Sequence, residues 1–220
     1  MKNVLKNNSL SIVFFVLFLI SIVGQAITGL SEHNEELQEK GGTPVDMTQY
    51  LVSGHFIQAT FENWESEFLQ MALFVVLTIF LYQRGSSESK DPDDPSGEED
   101  REPDPNKEDA PWPVKQGGLI LKLYQHSLTI ALFLLFALSF LVHWYGSLKD
   151  YNEQQLLQGK PTETAMEFIG GSRFWFESFQ NWQSEFLSVF TIVVLSVFLR
   201  QKGSPQSKPV DASYAGETGE

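Results

Sequence analysis

The chain has 220 residues, a formal net charge of −13 at pH 7 and no cysteine. A negative charge of this size argues against a nucleic-acid-binding protein, because the phosphate backbone would repel it. The absence of cysteine excludes disulfides, thiolate metal ligands and cysteine nucleophiles.

Four apolar blocks occupy most of the rest of the chain. Two long blocks, residues 7–31 and 123–148, contain no charged residue, and two shorter blocks cover residues 68–83 and 186–199. A helix of about 20 apolar residues crosses a bilayer. We therefore predict an all-α membrane protein with four transmembrane helices at about 9–30, 64–83, 125–147 and 182–200.

The first apolar block has an alternative interpretation as a secretory signal. Lys2 and Lys6 precede it, and Gly24 and Ala26 are small residues at a cleavage spacing. The block is long, however, and a matching block recurs at residues 127–147, where no signal peptide can lie. These features favour a retained helix.

Two polar connectors, residues 31–63 and 148–181, separate the helices of each pair. The run from Ser31 to Glu36 has a hydroxyl followed by acidic residues, which predicts a new helix start. The apolar runs 50–56 and 168–174 predict a short interfacial helix, then a turn permitted by glycine.

The two remaining segments are polar. Residues 91–113 are rich in acids and prolines, a composition typical of a disordered linker, and residues 209–220 are predicted to be a disordered tail. Solvation is the main role expected for the linker, with a basic partner as the alternative.

The chain contains an internal repeat. When it is shifted by 118 positions, residues 8–90 align with 126–208 without a gap, and 29 of the 83 pairs are identical. Each copy has two membrane helices, so the copies have the same orientation and form two parallel two-helix repeats, residues 1–90 and 114–208.

Basic residues predict the orientation in the membrane. Eleven lie in the N-terminus, the central linker and the C-terminal segment, against four in the two connectors. Because cytoplasmic segments carry the excess of Lys and Arg, we expect both termini and the linker in the cytoplasm, with both connectors on the outer side of the membrane.

The most specific part of the repeat is an Asn-Trp-x-Ser-Glu box, found at residues 63–67 and 181–185. On a helix, the polar residues of each copy share one face. These candidate site residues are Asn63, Ser66, Glu67 and Gln70 in the first copy, and Asn181, Ser184 and Glu185 in the second.

Two interpretations of the boxes remain open. Asn and Ser between membrane helices usually serve packing and interhelical hydrogen bonds, which makes the protein a non-enzymatic structural or partner-binding membrane protein. Acids inside the hydrocarbon region mark functional sites, which favours a site for permeation or sensing of a proton, cation or small polar ligand.

Aromatic residues near the boxes are expected at the outer interface of the membrane. They are Phe61, Trp64, Trp175, Phe179 and Trp182.

No catalytic motif, metal site or cofactor site is predicted, because the sequence has no phosphate-binding loop, His-Glu-x-x-His or Gly-x-Ser-x-Gly. The expected partners are the lipid bilayer and a second copy of the chain or another membrane protein.

The Asn34-Glu35 pair, the doubled box and the closing Gly-Ser-x-x-Ser-Lys pattern together carry a resemblance. With these features the chain resembles an uncharacterised bacterial family of small multi-pass membrane proteins, known as a domain of unknown function. The resemblance implies a bacterial membrane location and brings no activity, substrate or catalytic residue.

Overall fold

The computed structural model describes residues 2–92 and 101–214. This part of the chain contains helices and no strand, which confirms the predicted all-helical class. The helices are α1 (Lys2–Asn7), α2 (Ser9–Glu39), α3 (Met47–Leu51), α4 (Gly54–Phe80), α5 (Trp112–Gln116), α6 (Gly118–Gln125), α7 (Ser127–Leu157), α8 (Ala165–Gly170) and α9 (Ser172–Phe198).

The chain forms two compact units. The first unit consists of Met1–Glu62 and Phe140–Trp175, and the second of Asn63–Ser139 and Phe176–Glu220. The first unit therefore holds the connectors with α3 and α8, and the second holds the box residues 63–67 and 181–185.

Three helices in the described ranges are long and apolar enough to cross a membrane: α2, α7 and α9. None of the most apolar part of α2 is buried within the chain. Helix α4 is not among the three, although a fourth span was predicted there. It differs from α9 in carrying Glu65 and Gln70 where α9 has Gln183 and Ser188, so its last 18 residues are more polar.

Helices α2 and α7 are each 31 residues long. At 1.5 Å per residue each is about 46 Å long, which exceeds the hydrocarbon thickness of about 30 Å by several turns. The predicted new helix start at Ser31 is wrong, since α2 continues to Glu39 without interruption. No glycine or proline lies between Ser31 and Glu39 to interrupt the helix, so the polar residues 31–39 continue the apolar helix as its C-terminal part.

The same local structure starts the short helix within each connector. Asp46 caps α3 in a capping box with Gln49, and Thr164 caps α8 in a capping box with Glu167. The Thr48 hydroxyl and the Gln49 backbone amide lower the pKa of the Asp46 carboxyl group. The backbone amide and hydroxyl of Thr164 lower the pKa of the Glu167 carboxyl group. Both helix starts are therefore specified locally.

An asparagine that recurs in both copies, at positions 34 and 152, holds each connector where it folds back. The Asn34 amide donates to the Val45 carbonyl at 3.0 Å, and its oxygen accepts from Val45 N at 2.7 Å. Asn152 makes the same pair of bonds with Glu163, at 2.9 and 2.8 Å. The recurrent Asn thus acts as a clamp across each connector.

Element bounds also recur with the sequence offset. Helices α2 and α7 begin and end 118 positions apart, and so do α4 and α9.

Glycines bring α4 and α7 into backbone contact in the first unit. A Cβ on Gly54 would overlap the Asp150 backbone nitrogen, and one on Gly146 would lie 2.6 Å from Gln58 N. Gly54 was expected to permit a turn. It does not have a positive φ, and the close approach is what requires glycine there.

The two helices that end in the second unit finish earlier than expected. The helices were predicted to end at about residues 83 and 200, just before Gly85 and Gly203, but α4 ends at Phe80 and α9 at Phe198. Both glycines lie in later turns with φ of 85° and 84°. In each turn a serine accepts from a backbone amide, Gln83 N to Ser89 Oγ at 2.7 Å and Gln201 N to Ser207 Oγ at 2.8 Å.

The linker and tail were predicted to be disordered. Residues 93–100 of the linker and 215–220 of the tail lie outside the described residues. Within the described tail, the Arg200 guanidinium donates to the Ala212 carbonyl at 3.2 Å and lies 5.7 Å from the Tyr214 ring. Residues 212–214 therefore pack against the end of α9.

The glycine contact leads to a stability prediction with an internal control. We expect Gly146→Ala to destabilise the fold by about 2 kcal/mol through overpacking, which lowers the melting temperature in detergent by about 4–8 °C. Gly24→Ala is the control, because nothing lies within 4 Å of a Cβ at Gly24. An equal melting temperature for the two variants would contradict the contact.

Candidate functional site

The predicted polar face of α4 is divided by its burial. Ser66 is 1% exposed, and its hydroxyl donates to the Asn63 carbonyl at 2.8 Å. Asn63 and Glu67 are exposed, and Gln70 is half-buried. The four residues therefore do not form one buried polar surface.

The face of α9 is more open. Asn181 and Glu185 are half-buried and Ser184 is exposed. The Asn181 amide donates to the Glu177 carbonyl in its own helix at 3.1 Å. The charge of Glu67 acts on Glu185, so these two carboxylates are close enough to interact.

A residue outside the predicted face joins the two boxes in the second unit. Trp182 Nε1 donates to the Glu65 carboxylate at 2.9 Å, and Glu65 is fully buried. Sequence reasoning missed Glu65 because it considered only the Asn-Ser-Glu face. Glu65 lies at i, i+4, i+7 spacing with Leu69 and Ala72, both buried, and this stripe is the signal that would have placed it inside.

The predicted interfacial aromatics differ in their surroundings. Phe61, Trp64, Trp175 and Trp182 are half-buried, while Phe179 is exposed. The Trp175 indole donates to the Ile169 carbonyl at 2.8 Å in the first unit. The Phe179 and Trp182 rings meet edge to face at 5.3 Å in the second.

A second polar cluster lies in the first unit, where α7 and α9 contribute an acid, a ring and a base. Arg173 donates to the Asp150 carboxylate at 2.6 Å, and the Asp150 side chain is 4% exposed. The guanidinium also lies 5.4 Å from the centre of the Tyr151 ring. Asp150, Tyr151 and Arg173 are called the second constellation below.

The end of α2 and the start of α4 carry the corresponding set 118 positions earlier. His55 Nε2 lies 3.2 Å from the Glu32 carboxylate, and the His33 and His55 rings are 4.9 Å apart. Glu32, His33 and His55 are called the first constellation. The sequence grouped His33 and His55 only as possible ligands of a divalent metal, which Tyr151 and Arg173 replace in the second copy, and did not pair them with Glu32.

Tyr50 completes the first constellation from α3. Its hydroxyl lies 3.1 Å from His55 Nδ1 and is packed against Gly29 of α2. Burial, together with a smaller effect of the Glu32 charge, raises the pKa of Tyr50 to about 12. The side chain therefore stays a neutral hydroxyl that can donate or accept a hydrogen bond.

Both constellations tie the end of one long helix to the start of another. In the second constellation the base is Arg173, which is permanently charged. In the first constellation the bases are the imidazoles of His33 and His55, which can gain and lose a proton.

The buried ion pair gives a prediction for the second constellation. Arg173→Met leaves Asp150 buried without its cation, which we expect to cost about 2 kcal/mol, since Arg173 is itself partly exposed. The melting temperature in detergent should fall by about 4–8 °C. Lys160→Met, which removes an exposed cation of the same connector, should leave it unchanged. Equal effects of both substitutions would show that the pair contributes nothing.

Comparisons with known proteins place the chain in a family without assigning an activity. No curated protein and no solved structure matches it. The family model described as "Domain of unknown function (DUF6766)" matches residues 1–220. The predicted membership of a family of unknown function is confirmed, and the chain belongs to the DUF6766 family.

Proposed function

We propose that this protein is an integral membrane protein with four spans, arranged as two parallel copies of a helical hairpin. Three apolar helices support this arrangement directly. For the fourth span, α4 has the same bounds as α9 at the repeat offset, and its apolar run continues past Phe80 into the exposed Leu81 and Tyr82.

We place both termini and the linker in the cytoplasm of a bacterium, and the connectors outside its inner membrane. The distribution of basic residues supports this orientation. In it, both constellations lie beyond the spans on the outer side.

The function that the geometry supports best is non-enzymatic: a structural or partner-binding membrane protein. The observation that carries it is the hydrogen bond from Trp182 to the buried Glu65, because it joins the two boxes through a packing contact. The Ser86 and Ser196 hydroxyls, 2.8 Å apart, are a second polar contact between helix-end segments of the same unit. Such contacts hold membrane helices together.

The exposed apolar surface of α2 is assigned to lipid or to a second copy of the chain. None of its most apolar part is covered within the chain. Light scattering of the protein in detergent decides between them, since a dimer mass that persists on dilution is expected only for a second copy.

The alternative function is a proton or cation permeation or sensing site at the boxes. It is favoured by the electrostatic interaction between Glu67 and Glu185. Two carboxylates near each other at this depth could bind a cation or share a proton.

The packing function predicts that substitutions at Trp182 and Glu65 lower the stability of the fold and that their effects are not additive. Trp182→Phe keeps the aromatic ring but removes the N–H that Glu65 accepts, and we expect a cost of about 1 kcal/mol and a melting temperature lower by about 2–4 °C. Glu65→Gln combined with Trp182→Phe should cost less than the two single changes added together. Trp112→Phe, at an exposed tryptophan, is the control.

The same proposal expects no proton or cation flux in liposomes. Flux that is present in the wild type and abolished by Glu67→Gln with Glu185→Gln would overturn it in favour of the permeation site.

Topology is tested by single cysteines, because the chain has none of its own. Thr43→Cys and Lys160→Cys lie at exposed positions in the two connectors, and Lys107→Cys lies in the linker. We expect a membrane-impermeant maleimide to label the first two in intact cells and the third only after lysis. Labelling of Lys107→Cys alone in intact cells would invert the topology.

A further inference from the structure

The two constellations occupy equivalent positions with similar distances, although the Glu32 side chain is 58% exposed and that of Asp150 only 4%. Each base lies beside an aromatic ring of the preceding long helix. The His55 and His33 ring centres are 4.9 Å apart, and the Arg173 guanidinium carbon is 5.4 Å from the centre of the Tyr151 ring. Each base also bridges to the acid at the preceding helix end, at 3.2 Å in the first and 2.6 Å in the second. A tyrosine or phenylalanine from the short connector helix completes each set, with ring distances of 5.5 Å to His33 and 5.5 Å to Tyr151.

The acids, Glu32 and Asp150, are of the same kind, whereas the base, the ring beside it and the connector-helix residue, Tyr50 or Phe168, differ. Arginine keeps its charge at every physiological pH, whereas histidine changes charge between about pH 5 and 8. We propose that the first constellation is a proton-binding site, which on protonation takes the charge state that the second constellation holds permanently. This inference does not depend on the packing function of the boxes.

The two polar contacts of His55, to Tyr50 at Nδ1 and to Glu32 at Nε2, indicate where the proton binds. An ionised Glu32 can only accept, so in the neutral state His55 carries its hydrogen on Nε2 and its Nδ1 accepts from the Tyr50 hydroxyl. A proton from solvent then binds Nδ1, and the Tyr50 oxygen becomes the acceptor. The contact to Glu32 changes from one between a neutral imidazole and a carboxylate to an ion pair without moving a heavy atom.

The site takes up one proton and not two. His33 is 7% exposed and lies against the His55 ring, so a charge on His55 and burial both oppose a second proton. The other charged groups acting on His33 are Glu36 and Lys40 of α2 and Asp150 of α7. Asp150 is already paired with Arg173, and Glu36 with Lys40 at 3.0 Å, so neither offers His33 an uncompensated anion.

The location of the first constellation determines which compartment it can exchange protons with. Glu32 and His33 lie in the last turns of α2 and His55 in the first turn of α4, on the connector side of the spans. Protonation therefore strengthens the tie between these helices in response to the pH of the compartment that the connectors face.

The test is a titration of the protein in detergent with ¹³C-labelled histidine, followed by NMR from pH 8 to pH 5. The chain has four histidines, which are assigned by single substitution. We expect His55 to gain one proton and His33 to remain neutral. Protonation of both, of His33 alone, or of neither would overturn the proposal.

Three variants sharpen the test. His55→Arg should abolish proton uptake at the constellation and leave His33 neutral throughout; uptake at His33 in this variant would contradict the proposal. His33→Tyr copies the second constellation and should retain uptake at His55, which keeps the test decisive if His55→Arg does not fold. His126→Asn, at an exposed histidine near the start of α7, should leave the titration of His55 unchanged.

Discussion

The backbone contact between α4 and α7 is the constraint on which the first unit depends. Gly54 lies against the backbone at Asp150, and Gly146 lies against that at Gln58, so each helix contributes one glycine four residues from its partner contact. Any side chain at these positions would separate the helices. With glycine, the start of α4 is held against the polar end of α7, and Asp150 is enclosed between them.

Enclosing Asp150 would be unfavourable without compensation. Its carboxylate accepts from Arg173 at 2.6 Å and from the Gln154 amide at 2.8 Å, so the buried charge is both paired and hydrogen-bonded. The Arg173 guanidinium is in turn held over the Tyr151 ring. The close helix contact and the ion pair are therefore linked, because the first creates the buried site that the second satisfies.

The two segments related by the 118-residue offset share local structure but differ in the chemistry of some side chains. The Asn34 and Asn152 clamps, the two capping boxes and the helix bounds are closely matched. At two of the three positions of the constellations the residues differ in kind: an Arg–Asp ion pair over a tyrosine in one copy corresponds to a His–Glu contact beside a histidine in the other. The same holds at the boxes, where the buried Glu65 corresponds to the exposed Gln183. Segments with matching helix bounds thus carry side chains of different charge at equivalent positions.

The amino-acid sequence by itself determined the helical class, the apolar helices and the 118-residue offset, because hydropathy and self-similarity are local properties of the chain. The short helices that it predicted at 50–56 and 168–174 lie earlier, as α3 and α8, and the long helices α4 and α9 begin within those runs. It also placed the aromatic residues and the boxes on helices. It could not determine that α2 runs on to Glu39, that Gly54 serves a helix contact instead of a turn, or that Glu65 rather than Glu67 is buried. Those outcomes, and the assembly of His55 with Glu32 and of Arg173 with Asp150, were decided by tertiary structure, because burial and ion pairing depend on which helices meet, and no local pattern specifies that.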